Sequence, residues 1–305
     1  MNVAPIALFV YNRPWHTRKT IEALQKNELA DLSELFIYSD TAKNEQAETA
    51  VAEVREYVRS IDGFKNITII ERENNLGLAG SIIDGVTTVV NKYGKVIVLE
   101  DDLITSPYFL TYMNESLNRY RDEDKVMQIS GYMFQLELSL DEEALLLPFT
   151  TSWGWATWQR AWIMFDPEAK AYSMLKKSQK LQCEFNLMGA YPYFDMLEAQ
   201  LNGKINSWAI RWYLSVFMQN GLTLYPQKAL INNIGFDGSG VHCDSSEITQ
   251  MSLCRSRIQI FPTIIEVQQD CKYAVYDYLR KQKDVSIIRR IKKLLAILYR
   301  PIKNF

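Results

Sequence analysis

Five short apolar runs punctuate the first 130 residues: PIALFVY (5 to 11), ELFIYS (34 to 39), NITIIE (66 to 71), KVIVLE (95 to 100) and KVMQIS (125 to 130). Each is strand-length and nearly continuous in its apolar character, as expected of strands buried in a mostly parallel sheet. Between the runs the pattern changes period. Ile82, Ile83, Val86, Val89 and Val90 fall at i, i+1, i+4, i+7 and i+8, one face of a helix. Strand, helix and strand in series predict a doubly wound α/β layer, a mostly parallel sheet with helices on both faces. Such sheets bind ligands at the carboxyl ends of their strands. Chemistry is therefore expected in the polar stretches that follow the runs: Asn12-Arg13-Pro14, Ser39-Asp40, Arg72 to Gly77, and Glu100 to Asp102.

From about residue 140 the pattern turns aromatic. SWGWATWQRAW (152 to 162) holds four tryptophans, and a second aromatic helical segment, SWAIRWYLSVF (207 to 217), follows. Trp153, Trp155, Trp158 and Trp162 read as core residues or as exposed stacking surfaces for a ligand, and Arg211 as a buried ion-pair partner or a ligand contact. The loop NNIGFDGSGVHC (232 to 243) carries three glycines and an Asp, which suggests tight turns and close backbone approach. With no internal repeat and no low-complexity linker, the second half is expected to pack onto the sheet. In the last twenty residues Ile287, Ile288, Ile291, Leu294, Leu295 and Leu298 form one helical face, with Arg289, Arg290, Lys292 and Lys293 elsewhere. That is the pattern of a helix lying in an anionic membrane interface.

Composition narrows the class. At 305 residues, 48% hydrophobic and 23% charged, the chain can bury a sizeable core. A net charge of -2 gives no electrostatic reason to expect nucleic acid as a partner. Cys183, Cys243, Cys254 and Cys271 show no CxxC spacing, so reduced thiols are expected instead of a zinc ribbon or disulfide framework. The start MNVAPIALFVYNRP lacks the basic region of a signal peptide. No window reaches the roughly 18 uncharged apolar residues of a membrane span. The expected location is cytoplasmic, peripheral to the membrane's inner face.

The sharpest chemical signal is Glu100-Asp101-Asp102 directly after the apolar run of KVIVLE. Three adjacent carboxylates repel unless they are protonated or share a cation. A hard divalent ion such as Mn²⁺ or Mg²⁺ would relieve that repulsion, especially when bridged to phosphates. The alternative is a solvated turn in which Asp102 or a neighbour caps the helix near Pro107.

FVYNRPWHTRKTIEAL (9 to 24), YSD (38 to 40), NLGLAGSI (75 to 82) and VLEDD (98 to 102) resemble a GT-A-fold glycosyltransferase. The likeness is to the animal N-acetylglucosaminyltransferase I group and its bacterial relatives that build surface polysaccharides. SWGWATW, SWAIRW, LYP and NIGFDGSGVHC are similar to recurring marks of those relatives, so the resemblance spans roughly residues 4 to 243. It implies a GT-A glycosyltransferase domain over 1–245, with a nucleotide-sugar-binding half over 1–130 and an acceptor half over 131–245. A helical extension (246–285) and the basic amphipathic helix (286–305) would follow.

By the same resemblance, Asp102 is the direct ligand of the divalent cation on the donor diphosphate. Asp101 and Glu100 would contact the donor ribose, sugar or metal-bound water. Arg13, with Asn12 beside it, would approach the diphosphate, and Asp40 would accept a hydrogen bond from a uracil-like base. Arg72, Asn75 and Gly77 would line the nucleotide pocket, although Asn74 to Gly77 also reads simply as a tight turn. His242 would reach the metal or diphosphate, whereas His16 is expected to be structural. An inverting transferase needs a carboxylate to deprotonate the acceptor hydroxyl. Many relatives carry it next to the first tryptophan of the aromatic helix, but here Asn206-Ser207-Trp208-Ala209 has no acid. The remaining candidates are Asp237, placed first, then Asp195 and Glu198.

Rival classes fare less well. A nucleotidyltransferase would carry a glycine- and arginine-rich loop where YNRPWH stands, and an aspartyl phosphohydrolase a DxD after the first strand. A catalytically silent sugar-binding or assembly protein on the same fold survives because of the missing helix acid. The reading is a metal-dependent transferase that moves sugar from a nucleoside diphosphate, UDP favoured, to a glycan or lipid-linked glycan acceptor.

Overall fold

The computed structural model describes residues 3–136, 138, 140–238 and 252–282, and all five apolar runs are strands in it. The first six strands are β1 (Ile6–Val10), β2 (Glu34–Ser39), β3 (Asn66–Glu71), β4 (Lys95–Glu100), β5 (Leu103–Thr105) and β6 (Val126–Ser130). Among them lie α1 (Pro14–Gln25), α2 (Glu45–Arg59), α3 (Gly77–Tyr93) and α4 (Phe109–Arg119). The second half adds β7 (Ala144–Leu147), β8 (Trp155–Trp158), α5 (Gln159–Trp162), α6 (Tyr172–Lys177), α7 (Gln179–Phe185), α8 (Tyr193–Leu201) and α9 (Trp208–Met218). Strands β9 (Leu222–Pro226) and β10 (Ile231–Asn233) follow, and α10 covers residues 269–282.

Eight strands form one sheet in the order β3-β2-β1-β4-β8-β6-β9-β7. β1 is parallel to β2 and β4, β2 to β3, and β6 to β9, while β8 runs antiparallel between β4 and β6, and β7 antiparallel on β9. The two-residue period of the strands sorts their side chains onto two helical layers. Ile6, Leu8, Leu35, Ile37, Ile97 and Leu99 share a core with Ile21 of α1, Val54 of α2 and Leu110 of α4. Ala7, Phe9, Tyr38, Val96 and Val98 pack instead with Ile82 and Val86 of α3 and Trp212 of α9. The protein is thus a doubly wound α/β structure.

The first aromatic segment is helical only over the four residues of α5. Its centre is β8, where Trp155 joins the α3 layer while Ala156 and Trp158 join the α4 layer. Alternate residues bury on opposite faces, which suits a strand and not a helix. Of residues 252–282, only 269–282 is helical. A third core joins β7, α6 to α9 and α10 through residues such as Leu147, Phe185, Tyr213 and Tyr276. No helix among the described residues is long and apolar enough to cross a membrane. The amphipathic segment 286–305 lies outside the described residues.

Candidate active site

Strand β4 buries Val96, Val98 and Leu99 and pairs Glu100 beside Phe9 of β1, so the carboxylates emerge at the carboxyl edge of the parallel strands. Asp101 and Asp102 follow as a turn and are only 4% and 7% exposed, which rules out a solvated turn. Helix α4 likewise begins at Tyr108 without a side-chain cap. The counter-charge comes from Arg13, at the start of α1. Its Nη2 donates to Asp102 Oδ2 at 2.9 Å and makes a very short contact with Asp101 Oδ1. Thr20, further along α1, fixes the turn: its hydroxyl donates to the Asp101 carbonyl at 2.8 Å and accepts from Leu103 N–H at 3.0 Å.

One arginine does not balance three carboxylates. Burial, reinforced by Asp102 and Asp101 and opposed by Arg13, pushes Glu100 up to about 8. Burial also raises Asp101, with Arg13 pulling the other way and Asp102 adding to the rise. Burial alone would weaken the charge on Arg13, but Asp101 and Asp102 outweigh it and hold the guanidinium above its ordinary value.

The other wall comes from the glycine-rich loop. Strand β10 pairs antiparallel with β5, Asn233 opposite Leu103, which brings the following residues onto the cluster. Ile234 N–H donates to the Asp102 carbonyl at 2.8 Å, and Gly235 N–H to Asn233 Oδ1 at 2.7 Å. Any Cβ at residue 235 would overlap the Asp102 carboxylate and lie 3.0 Å from Arg13 Nη1. Glycine is required here by close approach. Asp237 Oδ2 lies 3.1 Å from Nε2 of the buried His16, whose ring meets Trp15 edge-on. His16 also acts electrostatically on Asp101, so Arg13, His16, Asp101, Asp102 and Asp237 form one group. Sequence reasoning left His16 aside. The available signal was its place three residues after Arg13, in the first turn of α1.

Asp40 and Asn75 organise the neighbouring strand ends. Asp40 accepts from Leu76 N–H at 3.0 Å and Gly77 N–H at 2.8 Å, capping α3 from a different loop. Asn75 Nδ2 donates to the Thr41 carbonyl at 2.6 Å, and its Oδ1 accepts from Gly77 N–H at 3.2 Å. Gly77 sits at φ 66°, in left-handed backbone, so the tight-turn reading of this stretch holds. Asp40 Oδ1 also accepts from Thr41 N–H at 3.2 Å, so Oδ2 is the oxygen that keeps a second lone pair for a ligand donor. Arg72 pairs with Asp84 and lies over the Tyr38 ring at 5.3 Å. Asn12 sits partly buried in the turn before Arg13.

The structure does not bring Asp195 or Glu198 to this group. Helix α8 turns Leu197 into the third core, leaving Asp195 exposed, while Glu198 accepts from the Tyr172 hydroxyl at 2.7 Å. Among the described residues Arg211 has no ion-pair partner; it donates to the carbonyls of Ser207 and Pro167, both at 3.1 Å. Trp155, Trp158 and Trp162 are core residues, whereas the half-buried Trp153 packs edge-on against Phe236, next to Asp237, at 5.4 Å. His242 lies outside the described residues. Among the described residues no three His, Cys, Asp or Glu side chains converge into a ready-made metal site. The three described cysteines, Cys183, Cys254 and Cys271, are free thiols.

No family model matches the chain, and no curated protein aligns with it. Solved structures similar to it include the mannosyltransferase PcManGT from Pyrobaculum calidifontis in complex with GDP-Man and Mn²⁺. That match has a TM-score of 0.28 and 15% identity, covering 42% of this chain and 37% of that one. Another is S. aureus TarS 1-349, at TM-score 0.38 and 12% identity over 74% of this chain and 59% of that one. The same S. aureus protein in complex with UDP-GlcNAc gives 0.38 and 11%, over 74% and 57%. The chain thus spans 37% to 59% of the length of these structures, and at such scores no residue role passes from them to it.

Proposed function

We propose that the protein is a GT-A glycosyltransferase related to the N-acetylglucosaminyltransferase I group and its bacterial relatives. It moves a hexosyl or N-acetylhexosaminyl unit from a nucleoside-diphosphate sugar, UDP favoured, to a glycan or lipid-linked glycan in surface polysaccharide synthesis. It works on the cytoplasmic face of the membrane. The observation that carries this reading is the Glu100-Asp101-Asp102 cluster at the carboxyl ends of β1 and β4, with Asp101 and Asp102 buried and three carboxyl groups facing the single guanidinium of Arg13. The motif likeness names the chemistry such a cluster serves.

The hard oxygen donors suit Mn²⁺ or Mg²⁺, which Asp102 would hold with Glu100 and Asp101 in support. Bound there, the cation would neutralise charge on the departing nucleoside diphosphate. Arg13 adds a fixed positive charge at the same edge. Asp40, Asn75 and Gly77 shape the wall for the base, with Arg72 behind them. Asp237, beside His16, takes the proton of the acceptor hydroxyl as the hydroxyl oxygen bonds the anomeric carbon and the bond to the diphosphate breaks.

Calorimetric titration with a panel of nucleoside diphosphates, with and without Mn²⁺, tests this. One nucleotide should bind in a metal-dependent way, and Asp102→Asn should lose that binding. Asp237→Asn should keep it and abolish transfer. If no nucleotide binds in either condition, the reading fails and a silent sugar-binding protein is the better account.

A further inference from the structure

A cavity of about 300 Å³ lies between the residues preceding β8 and helices α8, α9 and α10. It is lined by the aromatic side chains of Tyr132, Trp153, Tyr191, Tyr193 and Trp208, together with Thr150 and others. Three properties define what it can hold. First, none of the described residues lining it carries a charge, so a phosphate or carboxylate would enter without a counter-charge. Second, its walls combine aromatic faces with polar tips. The hydroxyls of Tyr132, Tyr193 and Thr150 and the Trp208 indole N–H have no hydrogen-bond partner among the described residues, although Tyr132, Thr150 and Trp208 are 9%, 8% and 4% exposed. An alkyl chain would leave those tips unsatisfied, whereas sugar hydroxyls would satisfy them while ring C–H groups stack on the aromatic faces. Third, the volume is at the lower end of small-molecule sites, room for a single ring.

One wall of the cavity packs against the loop that carries Asp237. Trp153 lines it and touches Phe236, the neighbour of Asp237. We propose that this cavity is the acceptor subsite and that it takes one uncharged sugar ring, the residue of the acceptor glycan that receives the transferred sugar. The assignment rests on the glycosyl-transfer reading above and adds to it the chemical class of the acceptor's end.

The test is saturation-transfer NMR and tryptophan fluorescence on the full chain, with and without UDP and Mn²⁺. The probes are neutral methyl hexopyranosides and N-acetylhexosaminides, methyl glucuronide, and an octyl-chain detergent. At least one neutral glycoside should bind saturably and methyl glucuronide should not. The double variant Tyr132→Phe/Tyr193→Phe, which removes only two hydroxyls, should bind the glycoside about fivefold more weakly or worse. Its nucleotide affinity should be unchanged. Absence of glycoside binding while nucleotide still binds, equal binding of the uronide, or preference for the alkyl chain would each overturn the assignment and leave the transferase reading standing. Glycoside binding with no nucleotide binding would overturn it as an acceptor subsite together with that reading.

Discussion

The raised pKa of Glu100 makes a pH-dependent contribution to the stability of the metal-free protein, in the same direction as that of Asp101. An acid whose pKa rises from 4.5 to about 8 on folding takes up a proton as the chain folds. The stability gained by keeping it neutral is full below its unfolded value and is lost as pH rises through about 8. Thermal midpoints measured in EDTA should therefore fall between roughly pH 5 and pH 8, by at most about 1.4 kcal/mol of stability per pH unit for one proton. Glu100→Gln should flatten that slope; an unchanged slope would remove Glu100 as its source. Gly235 makes a steric prediction beside the electrostatic one. In Gly235→Ala the added methyl meets the Asp102 carboxylate, so Asp102 or the loop must shift. A loss of about 1–3 kcal/mol in stability is expected. Nucleotide affinity should weaken with it, checked by urea unfolding and calorimetry.

Helix α3 starts at Leu76 without a cap from its own side chains, and Asp40, carried by the loop after β2, supplies the acceptors instead. One carboxylate thereby ties together two of the loops that face the proposed nucleotide site. Asp40→Ala should destabilise the protein by about 1–2 kcal/mol in urea unfolding, the size of a lost N-cap. Asp40→Asn, which keeps one acceptor oxygen, should fall between. The β5–β10 ribbon acts in the same way on the opposite side, because its pairing carries Gly235 and Asp237 to the cluster. Neither link is legible locally: nothing in the sequence around Asp40 marks the N–H groups of Leu76 and Gly77 as its donors, and INN is too short to announce a strand.

At the scale of the molecule, β8 from the second half is inserted between β4 and β6 of the first, so both halves complete one sheet. Helix α10 closes the aromatic cavity through Leu279, and the basic segment 286–305 follows it in sequence. The full chain should sediment with anionic vesicles, and deletion of residues 286–305 should release it; undiminished binding by the shortened chain would defeat the membrane assignment. The sequence alone determined the five parallel strands, the helical face of α3 and the place of the carboxylates at a strand end. These are local patterns of period, length and charge, written within a dozen residues. Tertiary structure alone decided that Arg13 pairs with carboxylates 88 and 89 positions away, that His16 meets Asp237 and that Gly235 lies against Asp102. It also set Asp195 and Glu198 away from the cluster. Ion pairs and close contacts depend on separation in space, and strand order and packing fix that separation for residues far apart in the chain.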